Sequence, residues 1–203
     1  MLLGGPASAT GDFGRAMQAI RDGNPGEAVT EFTRLAQNGD PEAQINLAVL
    51  LARGVGTPQN EEAAFYWAWR ARLGLENRKA PDVVDYLERR LDAKTRNRVA
   101  DRLATDLDKL ADNGDGNAFL GIAIALFDVR EPAKPKDALV SAIAATALNV
   151  PNASLVRDAI ARDLPEKERL DAQRRAGIRF AQWCETAPSM ATQGFCGATT
   201  ATN

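Results

Sequence analysis

The sequence contains no histidine, only two cysteines and few aromatic residues. The absence of histidine excludes Ser-His-Asp and Cys-His catalytic arrangements, and every metal site that needs a histidine ligand. Strand-forming residues are scarce too, because the aromatic fraction is 6% and runs of β-branched residues are missing. No apolar stretch approaches the roughly 18 residues of a transmembrane helix. These absences argue against most enzymes, against β-sheets and against direct membrane insertion.

Alanine is the residue present in excess, at 37 of 203 positions. It is the best helix former, and its small side chain lets helices approach closely. The apolar fraction of 45% and the charged fraction of 26% are those of an ordinary globular protein. The formal net charge of −2 gives no basis for binding nucleic acid or an anionic membrane. The composition therefore predicts a helical binding protein with no cofactor and no metal ion.

Apolar residues recur at helical spacing along most of the chain. Asn38-Gly39 is a typical helix end, and Asp40-Pro41 is a typical helix start. The periodic segments predict an all-α fold with about ten helices, joined by short loops and therefore mostly antiparallel to their neighbours. The predicted helices span 12–22, 27–37, 42–53, 61–73, 81–91, a long segment ending near 111, 117–127, 137–148, 153–162 and 166–183.

The pattern repeats when the chain is shifted by 75 residues. Gly39-Asp40-x-x-Ala43 then aligns with Gly114-Asp115-x-x-Ala118. Repetition on this scale is typical of stacked helical hairpins, which bury their apolar faces on one another.

Residues 43–74 also resemble a Sel-one-like repeat, a relative of the tetratricopeptide repeat. The matching residues are Ala43, Leu47, Gly54, Gly56, Pro58, Ala64, Trp67, Ala71 and Gly74, and the departures are Ala48, Leu51 and Asn60. The resemblance implies a right-handed superhelical solenoid across 11–184, with repeat-like segments at 27–74 and 114–149. The helices at 80–111 and 152–183 would be additional to the repeats. On helical spacing alone, Trp67 is predicted to fill the core, since it shares a face with Ala64 and Ala71.

A superhelix of hairpins has a concave side lined by the first helix of each hairpin, and this side is where we expect a partner to bind. Three polar residues on helix 42–53 lie off its apolar stripe, and two aromatic residues on the next helix are predicted to be exposed. We take these as candidate partner-binding residues; the alternative is that they simply face water. They are Gln44, Asn46, Arg53, Tyr66 and Trp69.

The two cysteines, Cys184 and Cys196, are separated by eleven residues. This spacing is not Cys-x-x-Cys, which leaves a structural disulfide or two unrelated thiols, and we predict the disulfide. Ala7-Ser8-Ala9 has the form of a signal-peptidase site, so residues 1–10 are either a signal-peptide remnant or a disordered start. Residues 185–203 are assigned to a C-terminal tail. A disulfide and a signal remnant would both indicate a periplasmic or secreted protein.

Charged clusters provide the remaining candidates. Carboxylates at Glu61-Glu62 and within 106–115 are typical of solvated faces or helix caps, and the calcium-loop pattern near Asp112 is incomplete. The basic run from Arg89 to Arg102 is interleaved with acids, which favours a salt-bridged helix over a surface for an acidic partner.

We therefore hypothesise a non-enzymatic scaffold or regulator in the bacterial periplasm that binds a protein or an extended peptide. The alternatives are an accessory component of an envelope machine, such as the flagellar motor or polysaccharide export, and a structural homo-oligomer. A carboxylate-based cell-wall enzyme is disfavoured, because no histidine and no paired-carboxylate motif is present.

Overall fold

The computed structural model describes residues 7–74, 80–187 and 194–196. Within these ranges the chain forms ten α-helices and one π-helical turn, Ala125–Val129, and no strand. The predicted all-α class and number of helices are confirmed. None of the described helices combines the length and apolarity that a membrane crossing requires. The helices are α1 (Ala7–Arg21), α2 (Pro25–Gln37), α3 (Pro41–Arg53), α4 (Glu61–Gly74), α5 (Ala80–Glu88), α6 (Ala93–Asp112), α7 (Asn117–Ile124), α8 (Pro135–Ala147), α9 (Ala153–Ala161) and α10 (Glu166–Thr186).

The start and end signals in the sequence fix several helix boundaries. The Asp40 side chain accepts a hydrogen bond of 3.0 Å from the backbone N–H of Ala43, and Asn60 accepts one of 2.9 Å from Ala63. Both are N-caps, which satisfy backbone donors that lack a partner inside the helix. Gly54 ends α3 in the left-handed conformation, with φ of 68°, which glycine adopts without steric cost.

The helices fall into two compact units, Met1–Thr95 and Arg96–Asn203. In the first unit, each helix from α1 to α5 packs against the next one along the chain. Its main apolar core lies between α1, α2 and α3 and combines small and large side chains, among them Ala28, Phe32, Ala43 and Leu47. Alanine at these positions allows the helix backbones to approach closely.

In the second unit, α8 is the central helix and contacts α7, α9 and α10. Its apolar core includes Leu139, Ile160 and Leu164. Trp183 on α10 is 1% exposed, and its indole N–H donates a hydrogen bond of 2.8 Å to the carbonyl of Ala111 on α6. The rings of Phe119 and Phe180 pack against this indole.

The repeat found in the sequence corresponds to equivalent positions in the two units. Helix α5 packs against α3 and α4, just as α9 packs against α7 and α8. The first helix of each segment predicted to be additional to the repeats, α5 and α9, therefore packs in an equivalent way directly after a hairpin. Four aligned apolar pairs have the same burial: Ala43 and Ala118, Leu47 and Ile122, and Ala48 and Ala123 are buried, while Leu51 and Leu126 are half-buried.

Some boundaries differ from the predicted ones. Helix α2 begins at Pro25 because proline is tolerated in the first turn, where its missing N–H is not needed. The segment predicted as one helix over 117–127 changes from α to π geometry after Ile124. Most of the N-terminal segment 1–10 and of the tail 185–203 lies outside the described residues. The single domain across 11–184 stays a prediction.

Candidate functional site

An open groove of about 370 Å³ lies between α3 and α5 in the first unit. Apolar side chains of Val49, Ala52 and Val83 line it. Val83 also packs against the buried pair Ile45 and Ala71. The groove therefore has an apolar lining fixed to the underlying hydrophobic core.

Two charged residues of opposite sign also line this groove. Arg53 is in the last turn of α3 and Asp82 is in the first turn of α5, and both are exposed. Neither side chain has an ion-pair or hydrogen-bond partner among the described residues. Because both charges are unpaired, each is available to a molecule that enters the groove.

Tyr86 completes the lining, and its side chain is 46% exposed. The guanidinium of Arg90 lies 5.4 Å from the centre of the Tyr86 ring, a cation–π distance. The Nε of Arg90 in turn donates a hydrogen bond of 2.5 Å to Glu61, and this interaction raises the pKa of Arg90 above its ordinary value. Arg90 thus links the exposed tyrosine to α4.

The structure corrects the predicted exposure of two aromatic residues. Tyr66 and Trp69 are 5% and 3% exposed, whereas the neighbouring Trp67, predicted to fill the core, is only half-buried. The prediction assumed one buried stripe on α4. In the structure α4 packs against both α3 and α5, so a second stripe containing Phe65 and Trp69 is buried as well.

The exposure expected for Gln44 is also wrong, since this side chain is 2% exposed. Its Nε2 donates a hydrogen bond of 3.1 Å to the carbonyl of Ala36, in the last turn of α2. This carbonyl also accepts a hydrogen bond of 3.1 Å from the backbone N–H of Gly39, so Gln44 provides a second donor at the C-terminal end of α2. Asn46 is half-buried, and its Nδ2 donates to the carbonyl of Glu42, one turn earlier on the same helix.

Of the five candidate residues, the structure places only Arg53 on the groove. Asn46 lies nearby, because positions 46, 49 and 53 share one face of α3. The sequence reasoning missed Asp82, Val83 and Tyr86 as lining residues. A usable signal was present: Val83 and Tyr86 are three residues apart and lie off the buried stripe formed by Val84 and Leu87.

A second groove of about 370 Å³ lies in the other unit, beside α8 and α10. Its charged residues pair with acids or bases of the same unit. Arg175 contacts Asp137 at 2.7 Å, and Arg179 contacts Asp108 at 2.6 Å and Asp112 at 2.9 Å. The positive charges of this groove are therefore already neutralised by the protein itself.

The basic run that was the other candidate surface is also engaged in ion pairs. Arg90 pairs with Glu61, Arg96 with Glu131, and Arg102 with Asp106. This agrees with a salt-bridged segment, although two of these pairs reach other elements rather than residues of the same helix. Within the described ranges, no cluster of acidic and cysteine side chains is arranged to hold a metal ion.

Cys184 and Cys196 form a disulfide in the structure, with a Cα–Cα separation of 5.6 Å. The predicted pairing is therefore supported. The bond connects the end of α10 to the described residues 194–196 of the tail.

Comparison with known proteins gives limited results. No family model matches the chain, and no curated protein matches it in sequence. A similar solved structure is that of a protective antigen present in uropathogenic Escherichia coli strains, described as displaying an SLR fold. The similarity has a TM-score of 0.34 and 17% sequence identity, and it covers 90% of this chain and 47% of the other. This chain thus spans about half the length of that protein, and its assignment as an all-α protein of packed helical hairpins rests on its own helices.

Proposed function

We propose that this chain is a non-enzymatic scaffold that binds a protein partner, and that an extended segment of the partner lies in the groove between α3 and α5. The main support for this proposal is the guanidinium of Arg53, which has no partner among the described residues and lies beside an apolar lining. An unpaired arginine at such a place recognises a carboxylate through charge-assisted hydrogen bonds. Asn46 lies farther along the same face of α3 and would contact the partner backbone.

The size and openness of the groove support an extended segment. A volume of about 370 Å³ is near the lower end for ligand pockets, which suits a few residues better than a whole helix. Arg53, Asp82 and Tyr86 are exposed, so a chain can enter and leave at the surface. The resemblance of residues 43–74 to a Sel-one-like repeat points the same way, since repeats of that family serve as protein-binding scaffolds.

A photo-crosslinking amino acid at position 86, in the groove, tests this proposal in the native host. The matched control carries the same group at position 155, which is 69% exposed in the other unit. We expect one partner to be crosslinked from position 86 and not from position 155. The purified partner should then bind Arg53→Gln protein about tenfold more weakly than wild type. Equal crosslinking from both positions, or unchanged affinity, would contradict the assignment.

We place the protein in the bacterial periplasm or outside the cell, because the Cys184–Cys196 disulfide is typical of oxidising compartments. The measurement is the intact mass of native protein alkylated without and with prior reduction. We expect no alkylation before reduction and two additions after it. Two alkylated thiols in the unreduced protein would contradict both the pairing and the compartment.

A structural homo-oligomer is the second candidate, because the last two helices expose large aliphatic side chains. Leu155 is 69% exposed and Ile178 is 61% exposed. Sizing combined with light scattering separates the two candidates: the scaffold proposal expects a monomer, and a stable oligomer lost in Ile178→Ser protein would favour the alternative.

A further inference from the structure

The groove between α3 and α5 is lined by an anion as well as a cation. Arg53 comes from α3 and Asp82 from α5, so the two charges are attached to different helices. The structure records no ion pair between them, and neither has another partner among the described residues. Two opposite charges on different helices that form no ion pair with each other can each contact an occupant of the groove.

Apart from these charges, the lining is apolar and partly aromatic. Val49, Ala52 and Val83 provide aliphatic surface, and Tyr86 exposes nearly half of its side chain. The guanidinium of Arg90, which is bonded to Glu61, lies 5.4 Å from the centre of the Tyr86 ring. Aromatic side chains of this kind are frequent energetic centres of binding sites.

We propose that the groove selects a bipolar segment of a partner protein, in which an acidic and a basic side chain flank an apolar one. The acidic side chain pairs with Arg53, the apolar side chain packs against Val83 and Tyr86, and the basic side chain pairs with Asp82. Asp82 is then a specificity-determining residue. This inference rests on the proposed function, and it adds the basic group and the direction in which the segment lies.

The direction follows from the charges. A segment with a carboxylate at one end and a cationic group at the other gains both contacts in one orientation only. In the reversed orientation each charge of the segment meets a like charge of the groove, which is unfavourable. A segment that carries two acids loses the contact with Asp82 and is repelled by it.

The test is selection from a displayed library of random heptapeptides against the full-length protein. Three proteins are used in parallel: wild type, Asp82→Asn, and Asp85→Asn as a matched control on the same helix. Asp85 is exposed and does not line the groove. We expect wild type and Asp85→Asn to enrich peptides with an acid and a base around an apolar residue, and Asp82→Asn to keep the acid preference and lose the basic one.

The possible outcomes distinguish failure of the proposed function from failure of the bipolar preference. No enrichment by the wild-type protein would contradict the proposed function itself. Enrichment of acidic peptides without any basic preference would overturn the bipolar inference and leave the scaffold function standing. In a competition experiment, free amino acids could displace the bound peptide more effectively than other peptides do. The ligand of the groove would then be a small dipolar molecule and not a protein segment, and the inference would be overturned.

A charge exchange on one enriched peptide gives a second, independent test of the contact with Asp82. Replacing the basic residue of the synthetic peptide by Glu should weaken binding to wild type by about two- to fivefold, the range of an exposed ion pair. Asp82→Lys protein should recover the lost affinity for this altered peptide, and Asp85→Lys protein should not. Equal behaviour of the two lysine variants would show that Asp82 does not contact the peptide.

Discussion

The hairpins α3–α4 and α7–α8 begin alike and diverge after their first helix. Ala43 and Ala118 occupy equivalent buried positions, and so do Leu47 and Ile122. The first hairpin turns through a short loop containing Gly54 and Gly56, whereas the second continues into a π-helical turn and a proline-containing segment. The same apolar pattern is therefore present in both hairpins. The residues outside that pattern determine the loop and the surface chemistry of each hairpin.

The two grooves show this difference most clearly. They have similar volumes, but Arg53 and Asp82 in the first have no partner among the described residues, while Arg175 and Arg179 in the second pair with carboxylates of their own unit. A charge that is already paired gains little from a new partner, since its existing contact must first be lost. This difference supports our proposal that a partner binds in the first groove and not in the second.

The largest expected effect is on the core of the second unit. Trp183→Ala removes a fully buried indole that packs against Phe119 and donates to the Ala111 carbonyl. We expect the free energy of unfolding to fall by roughly 3–5 kcal/mol, measured by urea denaturation with circular dichroism. Trp67 is only half-buried, so Trp67→Ala should lower the free energy of unfolding clearly less than Trp183→Ala does. Equal costs would show that the two tryptophans are buried to the same extent in solution.

The next effect concerns the glycine loop of the first hairpin. A Cβ on Gly56 would lie 2.4 Å from the backbone carbonyl of Pro25, and its φ of 74° is unfavourable for alanine. Gly56→Ala should therefore cost roughly 2–4 kcal/mol, from backbone strain and from overpacking together. Gly23→Ala is the matched control, because φ is 77° there but nothing lies within 4 Å of the added atom.

For Gly23→Ala we expect only the cost of backbone strain, a loss of about 1–2 kcal/mol in the free energy of unfolding. Thermal or chemical unfolding of both variants gives the difference directly. If the two substitutions cost the same, the α3–α4 loop does not approach α2 as closely as described.

Some features of the fold and of the candidate site could be predicted from the sequence, and others could not. The all-α class and the N-cap at Asp40 follow from local spacing and from side-chain chemistry, and both were predicted. The burial of Gln44, Tyr66 and Trp69 could not be predicted, because it depends on which neighbouring helices cover a second face of α3 and α4. Arg53 was identified for its position off the apolar stripe, whereas Asp82 joins the groove only through the packing of α5 on α3.

The smallest predicted effect is a pH dependence in the first unit. Asp12 on α1 accepts a hydrogen bond from Arg34 on α2, which lowers the pKa of the Asp12 carboxyl below its ordinary value. A lowered pKa in the folded state means that the contact stabilises the protein above about pH 4 and is lost as the pH falls further. We expect a slightly steeper loss of melting temperature below pH 4 for wild type than for Asp12→Asn. Parallel curves would show that the pair does not link α1 to α2.

The central claim is that Arg53 of the first groove binds the partner, and that Arg175 of the second groove, which is paired with Asp137, does not. The direct measurement is a calorimetric titration of one partner-derived peptide against Arg53→Gln and Arg175→Gln proteins that keep the wild-type melting temperature. Each variant removes one arginine from the lining of a groove of about 370 Å³. The account predicts an affinity about tenfold weaker for Arg53→Gln and unchanged for Arg175→Gln. Unchanged affinity in Arg53→Gln together with weaker binding in Arg175→Gln would contradict it.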